Sequence, residues 1–134
     1  MTTEQIKKRE WLSRAKSTHK QLKKLQKQII KDKLQKKFFS EIDISDDVLE
    51  QEIKNNIERY AKLLEKMITL DEEARKAILT IHDDTLETIL VRYYLLYESF
   101  PKVAEKMIYK PRHVQRLFYQ AIEKIIIPAA GGTV

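Results

Sequence analysis

The chain has 134 residues, 34% of them charged and 43% apolar, with a net charge of +6. Two glycines and three prolines give too little turn punctuation for a sheet protein, and the lack of cysteine excludes disulfides, thiolate metal sites and cysteine nucleophiles. Apolar runs are short or broken by charge, and the first residues lack a signal-peptide core, so a cytoplasmic helical protein with no membrane contact is expected.

Charge is unevenly spread. Residues 1–40 carry thirteen Lys/Arg against three Asp/Glu, residues 41–100 seven against fifteen, and residues 101–134 six against two. Two basic segments flanking an acidic one suit either internal charge pairing or a polyanion partner. Residues 4–39 read as one long helix, because Trp11, Ala15, Thr18, Leu22, Leu25 and Ile29 alternate four and three apart, the spacing of a coiled-coil seam. Lysines outside such a seam are ordinary solvated surface. Asp32 and Lys36 then weaken the seam. Residues 40–47 form the connection, with Ser45 as the expected N-cap of the next helix and Asp46 and Asp47 facing its positive end.

The second long segment continues the pattern through Ile53, Ile57, Tyr60, Leu64, Met67, Asp71, Ala74, Ile78 and Ile81, with Asp71 as a polar notch. Residues 69–72 could be a capping box that starts a new helix or a polar notch in a continuous one, and continuity, with room for a kink, is the expectation. Two seam-bearing helices with a short connection form an antiparallel hairpin, or helices contributed to a homodimer. His82, Asp83 and Asp84 punctuate the chain as a turn. With Glu87 three residues beyond Asp84, a helix is expected over 85–97, its apolar face formed by Leu86, Ile89, Leu90, Tyr93, Tyr94 and Tyr97. Pro101 ends it, because the residue before a proline avoids helical geometry. A short helix over 101–107, a turn at 108–110 and a last helix over 111–127 follow, with Pro111 in the first turn and Pro128 as the stop.

Residues 100–118 fit a helix-turn-helix. Val103, small Ala104 and Met107 on the first helix, Tyr109 in the turn, and Val114 and Leu117 on the second fill the wedge between two closely crossing helices. The outer face of the second helix, with its N-cap, carries Lys110, Arg112, His113, Gln115, Arg116, Tyr119 and Gln120. No acidic residue occurs from 106 to 121. Arginine can bridge the O6/N7 edge of guanine and glutamine the N6/N7 edge of adenine, while His113 and Tyr119 suit phosphates or sugars.

Ile89-Leu90-x-Arg92-Tyr93, Ser99, Val103-Ala104-x-x-Met107 and Val114-x-Arg116-Leu117 through Ala121-Ile122 resemble region 4 of sigma factors. The pattern resembles still more closely phage late-gene transcriptional regulators of the RinA, ArpU and LtrC kind. The specific likeness covers about residues 78–126. It implies a phage or mobile-element regulator that binds promoter DNA, with Arg112, Gln115 and Arg116 in the groove-facing positions. Two slots depart from that pattern: Ile108 stands where glycine or asparagine is usual, and Lys110 where serine or threonine caps the helix. Either the turn has a different geometry, or the head has moved towards protein binding.

The expected architecture is therefore all-α: an elongated, coiled-coil-like helical hairpin over 1–82, a helix-turn-helix domain over 83–127 and a flexible tail over 128–134. The expected function is sequence-specific regulation of transcription on double-stranded DNA, with two heads of a homodimer on two half-sites. The alternative is a protein-binding regulator that docks on RNA polymerase or another regulator. A small terminase subunit, which also pairs such a head with helical oligomerisation segments, is a weaker third reading. No Gly-rich phosphate loop, nucleophile–base set or metal-ligand spacing stands out, so no enzyme activity, cofactor or metal is expected.

Overall fold

The computed structural model describes residues 2–128, and the tail residues 129–134, expected to be flexible, lie outside them. The architecture is all-α: α1 (Thr3–Leu12), α2 (Arg14–Glu41), α3 (Asp47–Ile78), α4 (Asp84–Leu90), α5 (Phe100–Met107) and α6 (Pro111–Lys124). A 3₁₀ turn occupies Leu79–Ile81 and a π-helical turn Val91–Leu95. None of the described helices is long and apolar enough to cross a membrane. Packing divides the chain into two units, Ser17–Ile68 and a second made of Met1–Lys16 with Thr69–Val134. The division thus falls at 16 and 68, where the sequence pattern alone placed it at 82.

The first unit is the antiparallel hairpin of α2 and α3. Leu22 and Leu25 of α2 and Leu49 and Ile53 of α3 are buried, so the basic helix spends its seam within its own chain. Asp32 continues the seam as a buried carboxylate, and Gln28 Nε2 donates to its Oδ1 at 2.8 Å. Ile57, expected in the α3 seam, instead lies exposed beside it. Helix α2 closes with Asp43 in the left-handed region (φ 58°), where Ile44 N donates to Phe39 O at 2.8 Å and Asp43 N to Ser40 O at 3.2 Å. A short polar side chain tolerates that conformation. Asp46 caps α3, not the expected Ser45: its Oδ1 accepts from Leu49 N at 3.0 Å, and its carboxylate lies at the positive helix end. Lys36 and Glu50 pair at 3.1 Å across the hairpin.

The second unit is the head, and α1 belongs to it. Thr2 and Gln5 form a capping box at its start. The helical path runs on through residues 4–39 as expected, with one irregular residue at Ser13 (φ −82°, ψ −3°), whose hydroxyl and N–H both bond the Arg9 carbonyl. Ala15, Thr18, Leu22 and Leu25 are buried as the seam requires, but at its start Leu12, not Trp11, is buried, and it joins Ala74, Ala77 and Ile78 in the head core. Helix α3 runs unbroken past Asp71, as expected. The polar notch has an occupant: Tyr97 lies beside Asp71, and burial together with that carboxylate pushes the Tyr97 hydroxyl up.

Asp83, rather than Asp84, caps α4. Its Oδ1 accepts from Leu86 N at 3.0 Å, and Asp83 N donates to Glu87 Oε2 at 3.2 Å, a reciprocal pair. The expected 85–97 helix widens into a π turn, where Leu96 N donates to Val91 O at 3.0 Å. The wider turn narrows the angle between successive residues, so neighbouring Tyr93 and Tyr94 both meet Phe118, at 5.1 and 5.9 Å between ring centres. Phe100 completes the cluster at 5.0 Å from Phe118. The aromatic residues of the head are therefore largely its core packing.

Candidate nucleic-acid interface

Helices α5 and α6 cross over Ala104. That residue, Val103 and Val114 are fully buried, and Met107 and Leu117 are half-buried at the edge of the wedge. Ser99 caps α5, its hydroxyl accepting from Lys102 N at 3.4 Å. The turn after α5 is formed by Ile108 itself in the left-handed region (φ 59°, ψ 46°). Tyr109 N donates to Ala104 O at 2.9 Å and Ile108 N to Glu105 O at 3.3 Å, the double closure of a glycine-type helix end. The departure from glycine thus leaves the turn geometry unchanged and is borne as strain. The Ile108 side chain is 91% exposed, so it gains no packing in return. Tyr109, expected in the wedge, also lies at the surface, its ring edge-on to His113 with centres 5.0 Å apart.

Helix α6 is amphipathic by residue placement. Val114, Phe118, Ala121 and Ile122 are buried against α4 and α5, which leaves positions 112, 115, 116, 119 and 120 on the opposite face. Lys110, Arg112, Gln115, Arg116, Tyr119 and Gln120 are all exposed, and His113 is half-buried beside Tyr109. Lys110 is the N-cap but makes no side-chain bond to the helix start, and Pro111 follows it. The first turn therefore keeps its positive end unneutralised, next to Arg112 and Arg116.

One contact within this face was not legible beforehand. Arg116 Nη2 lies 2.7 Å from His113 Nδ1. A guanidinium only donates, so in this geometry His113 accepts through Nδ1 and holds its proton on Nε2. Helix α6 ends at Lys124, three residues earlier than expected, with Ile125 as its C-cap. There the backbone turns extended (φ −65°, ψ 141°), which buries Ile125 in the core and lets Ile126 N donate to Thr80 Oγ1 at 3.1 Å. Ile127 and Pro128 continue along the head, lining with Trp11 and Ala77 an open cavity of about 390 Å³.

No family model, curated protein or solved structure matches the chain.

Reading the chain as a hairpin followed by a head missed α1. Gln5 Nε2 donates to Glu123 Oε1 at 3.2 Å and Lys8 Nζ to the Glu123 carbonyl at 3.0 Å, so α1 braces the far end of α6. Arg9 sits beside the Tyr94 hydroxyl, its guanidinium 5.3 Å from the centre of the Phe118 ring. The available signal was the adjacent pair Trp11-Leu12, which offers two registers for one seam.

Proposed function

We propose that this protein is a sequence-specific DNA-binding regulator of transcription that sets α6 into the major groove of duplex DNA. The observation that carries the reading is the outer face of α6. Six exposed cationic, amide or phenolic side chains project from a helix whose opposite face is locked into a helix-turn-helix core, with no acidic residue between 106 and 121. Arg112 and Arg116 are the guanine-edge donors, Gln115 and Gln120 the adenine-edge pair, and Lys110, His113 and Tyr119 the phosphate and sugar contacts. Arg116 must leave His113 to reach a base, so the unbound face is a parked form of the reading one. The sequence likeness to phage late-gene regulators supports a phage or mobile-element role in the cytoplasm, at promoter DNA. Two heads on two half-sites would require two joined chains.

The test is selection from random duplex DNA at two salt concentrations, wild type beside Arg112→Ala/Arg116→Ala. Wild type should enrich a defined motif that the double variant loses, each arginine being worth about 1–3 kcal/mol of base discrimination. Weak, salt-sensitive binding shared by both proteins, with no enriched motif, would reject the assignment.

A second reading draws on the exposed Ile108 and Tyr109 beside the same helix. Two neighbouring apolar side chains at a turn suit a protein contact, with RNA polymerase or another regulator as the partner class. Retention of DNA selectivity in Ile108→Ser/Tyr109→Ser, together with loss of a copurifying polymerase, would place both activities on one head.

A further inference from the structure

Where α2 turns into α3, the hairpin carries an apolar and acidic tip that its own packing does not use. Ile42, Ile44 and Val48 are 48%, 50% and 70% exposed there. From residue 38 to residue 53 the chain holds six Asp/Glu and no Lys, Arg or His. Asp46 is spent as the α3 cap and Glu50 on Lys36, which leaves Glu41, Asp43, Asp47 and Glu52 at the surface. Of the two lysines that precede the tip, Lys36 is thus paired and Lys37 remains. On the face of α3 that carries Val48 and Glu52, the next base is Arg59, about three turns along the helix. Apolar side chains set among carboxylates mark a contact surface for a basic and apolar partner.

The turn between α5 and α6 has that chemistry. Lys106, Lys110, Arg112 and Arg116 are exposed there, with Glu105 as the acid beside them. Ile108 and Tyr109 stand at its centre, and Ile108, 91% exposed, is held in a strained conformation that packing within the chain does not offset. The first turn of α6, without a side-chain cap, adds its positive end. We infer that the acidic tip docks on the α5–α6 turn of a second copy of this chain, Ile44 and Val48 against Ile108 and Tyr109. Charge selects the pairing. Tip on tip would set carboxylates against carboxylates, and turn on turn would crowd cations, whereas tip on turn brings opposite signs together around apolar centres. The lysines of α2 are a second basic surface, but they offer neither a strained apolar side chain nor an open helix start. The contact is small, so it is weak, reversible and loosened by salt. Docked there, the tip covers the start of α6 and competes with DNA for it. That consequence rests on the reading of α6 as the DNA-contacting helix, whereas the docking itself rests on charge and exposure.

The experiment is sedimentation equilibrium of the full chain without DNA, from micromolar to millimolar concentration, at low and at high salt. At low salt the average mass should rise with concentration above the 16.0 kDa of one chain, and high salt should bring it back. Glu41→Lys/Glu52→Lys at the tip and Lys106→Glu/Lys110→Glu at the turn should each weaken association by about tenfold or more, with the helical circular dichroism unchanged. An equimolar mixture of the two variants should associate again, because each supplies the intact surface that the other lacks. A wild type that stays monomeric at every concentration overturns the inference. So does a turn variant that associates as wild type does, which would set the tip on the lysines of α2 instead. Short duplex DNA added to the wild-type assembly should dissociate it. If the variants behave as expected but DNA leaves the assembly intact, the docking stands and the reading of α6 as the DNA-contacting helix falls.

Discussion

Ile108 holds a backbone conformation that β-branched residues avoid, since the left-handed region brings Cβ against the neighbouring carbonyl. Its side chain is almost wholly solvated, so nothing in the packing offsets the strain. Ile108→Gly should therefore stabilise the head by about 1 kcal/mol, read as a higher urea midpoint at unchanged slope. An unchanged or lower midpoint would mean that the side chain makes contacts its exposure hides. The sequence flagged this residue as anomalous, and of the two consequences it allowed, a different turn geometry is the one the structure overturns. Propensity identifies which residue pays for a turn, whereas the hydrogen bonds at Ala104 and Glu105 and the crossing of α5 over α6 decide that the turn forms regardless. Capping shows a similar limit. Ser45 and Asp46, or Asp83 and Asp84, are adjacent and chemically alike as caps, and only the start of the helix selects between them.

At the level of elements, α1 is the piece least legible in advance. Its residues extend the α2 seam, yet Met1–Lys16 packs with the head, a long-range contact that periodicity does not encode. There the helix delivers Leu12 to the head core, with Gln5 and Lys8 gripping the end of α6. Leu12→Ala should cost roughly 2–5 kcal/mol, the range for emptying a buried leucine site. The fluorescence of Trp11, the single tryptophan, should report the loosening. A cost below about 1 kcal/mol would show that α1 merely rests on the head. By contrast, α5 and α6 were readable almost residue by residue. Their wedge needs one small residue, Ala104, and a fixed spacing of apolar neighbours, and both are local properties of the sequence. The shorter α6 was not, because it is the Thr80 contact and the core site for Ile125, far apart in sequence, that end the helix.

For the molecule as a whole, the head has a titratable group in its core. Burial pushes the Tyr94 hydroxyl from 10.0 up to about 12, against the opposing pull of the Arg9 guanidinium. The folded state thus holds that proton more tightly than the unfolded chain does. The associated stability is fully present below pH 10 and is lost as pH rises towards 12. Unfolding midpoints measured from pH 9 upward should fall through this window. In Tyr94→Phe the fall should be shallower, and the last step of the phenolate absorbance titration should disappear. An equal decline in both proteins would show that Tyr94 does not carry the alkaline loss and would turn the test to Tyr97, whose hydroxyl is also pushed up. The fold class and the face of α6 were open to the sequence, because both rest on helical periodicity. The division of the chain was not, because it depends on contacts between its two ends.

Those contacts also bear on the order in which the protein folds. Gln5 and Glu123 touch across 118 residues of chain, and closing so long a loop carries a large entropic cost before any packing repays it. The hairpin removes a large part of that separation, since zipping α2 onto α3 shortens the effective loop that the head must close. Early hairpin formation should therefore set the pace of head assembly. During synthesis Gln5 and Lys8 must wait for α6, their partner, to leave the ribosome, whereas Leu12 can meet Ala74, Ala77 and Ile78 as soon as α3 emerges.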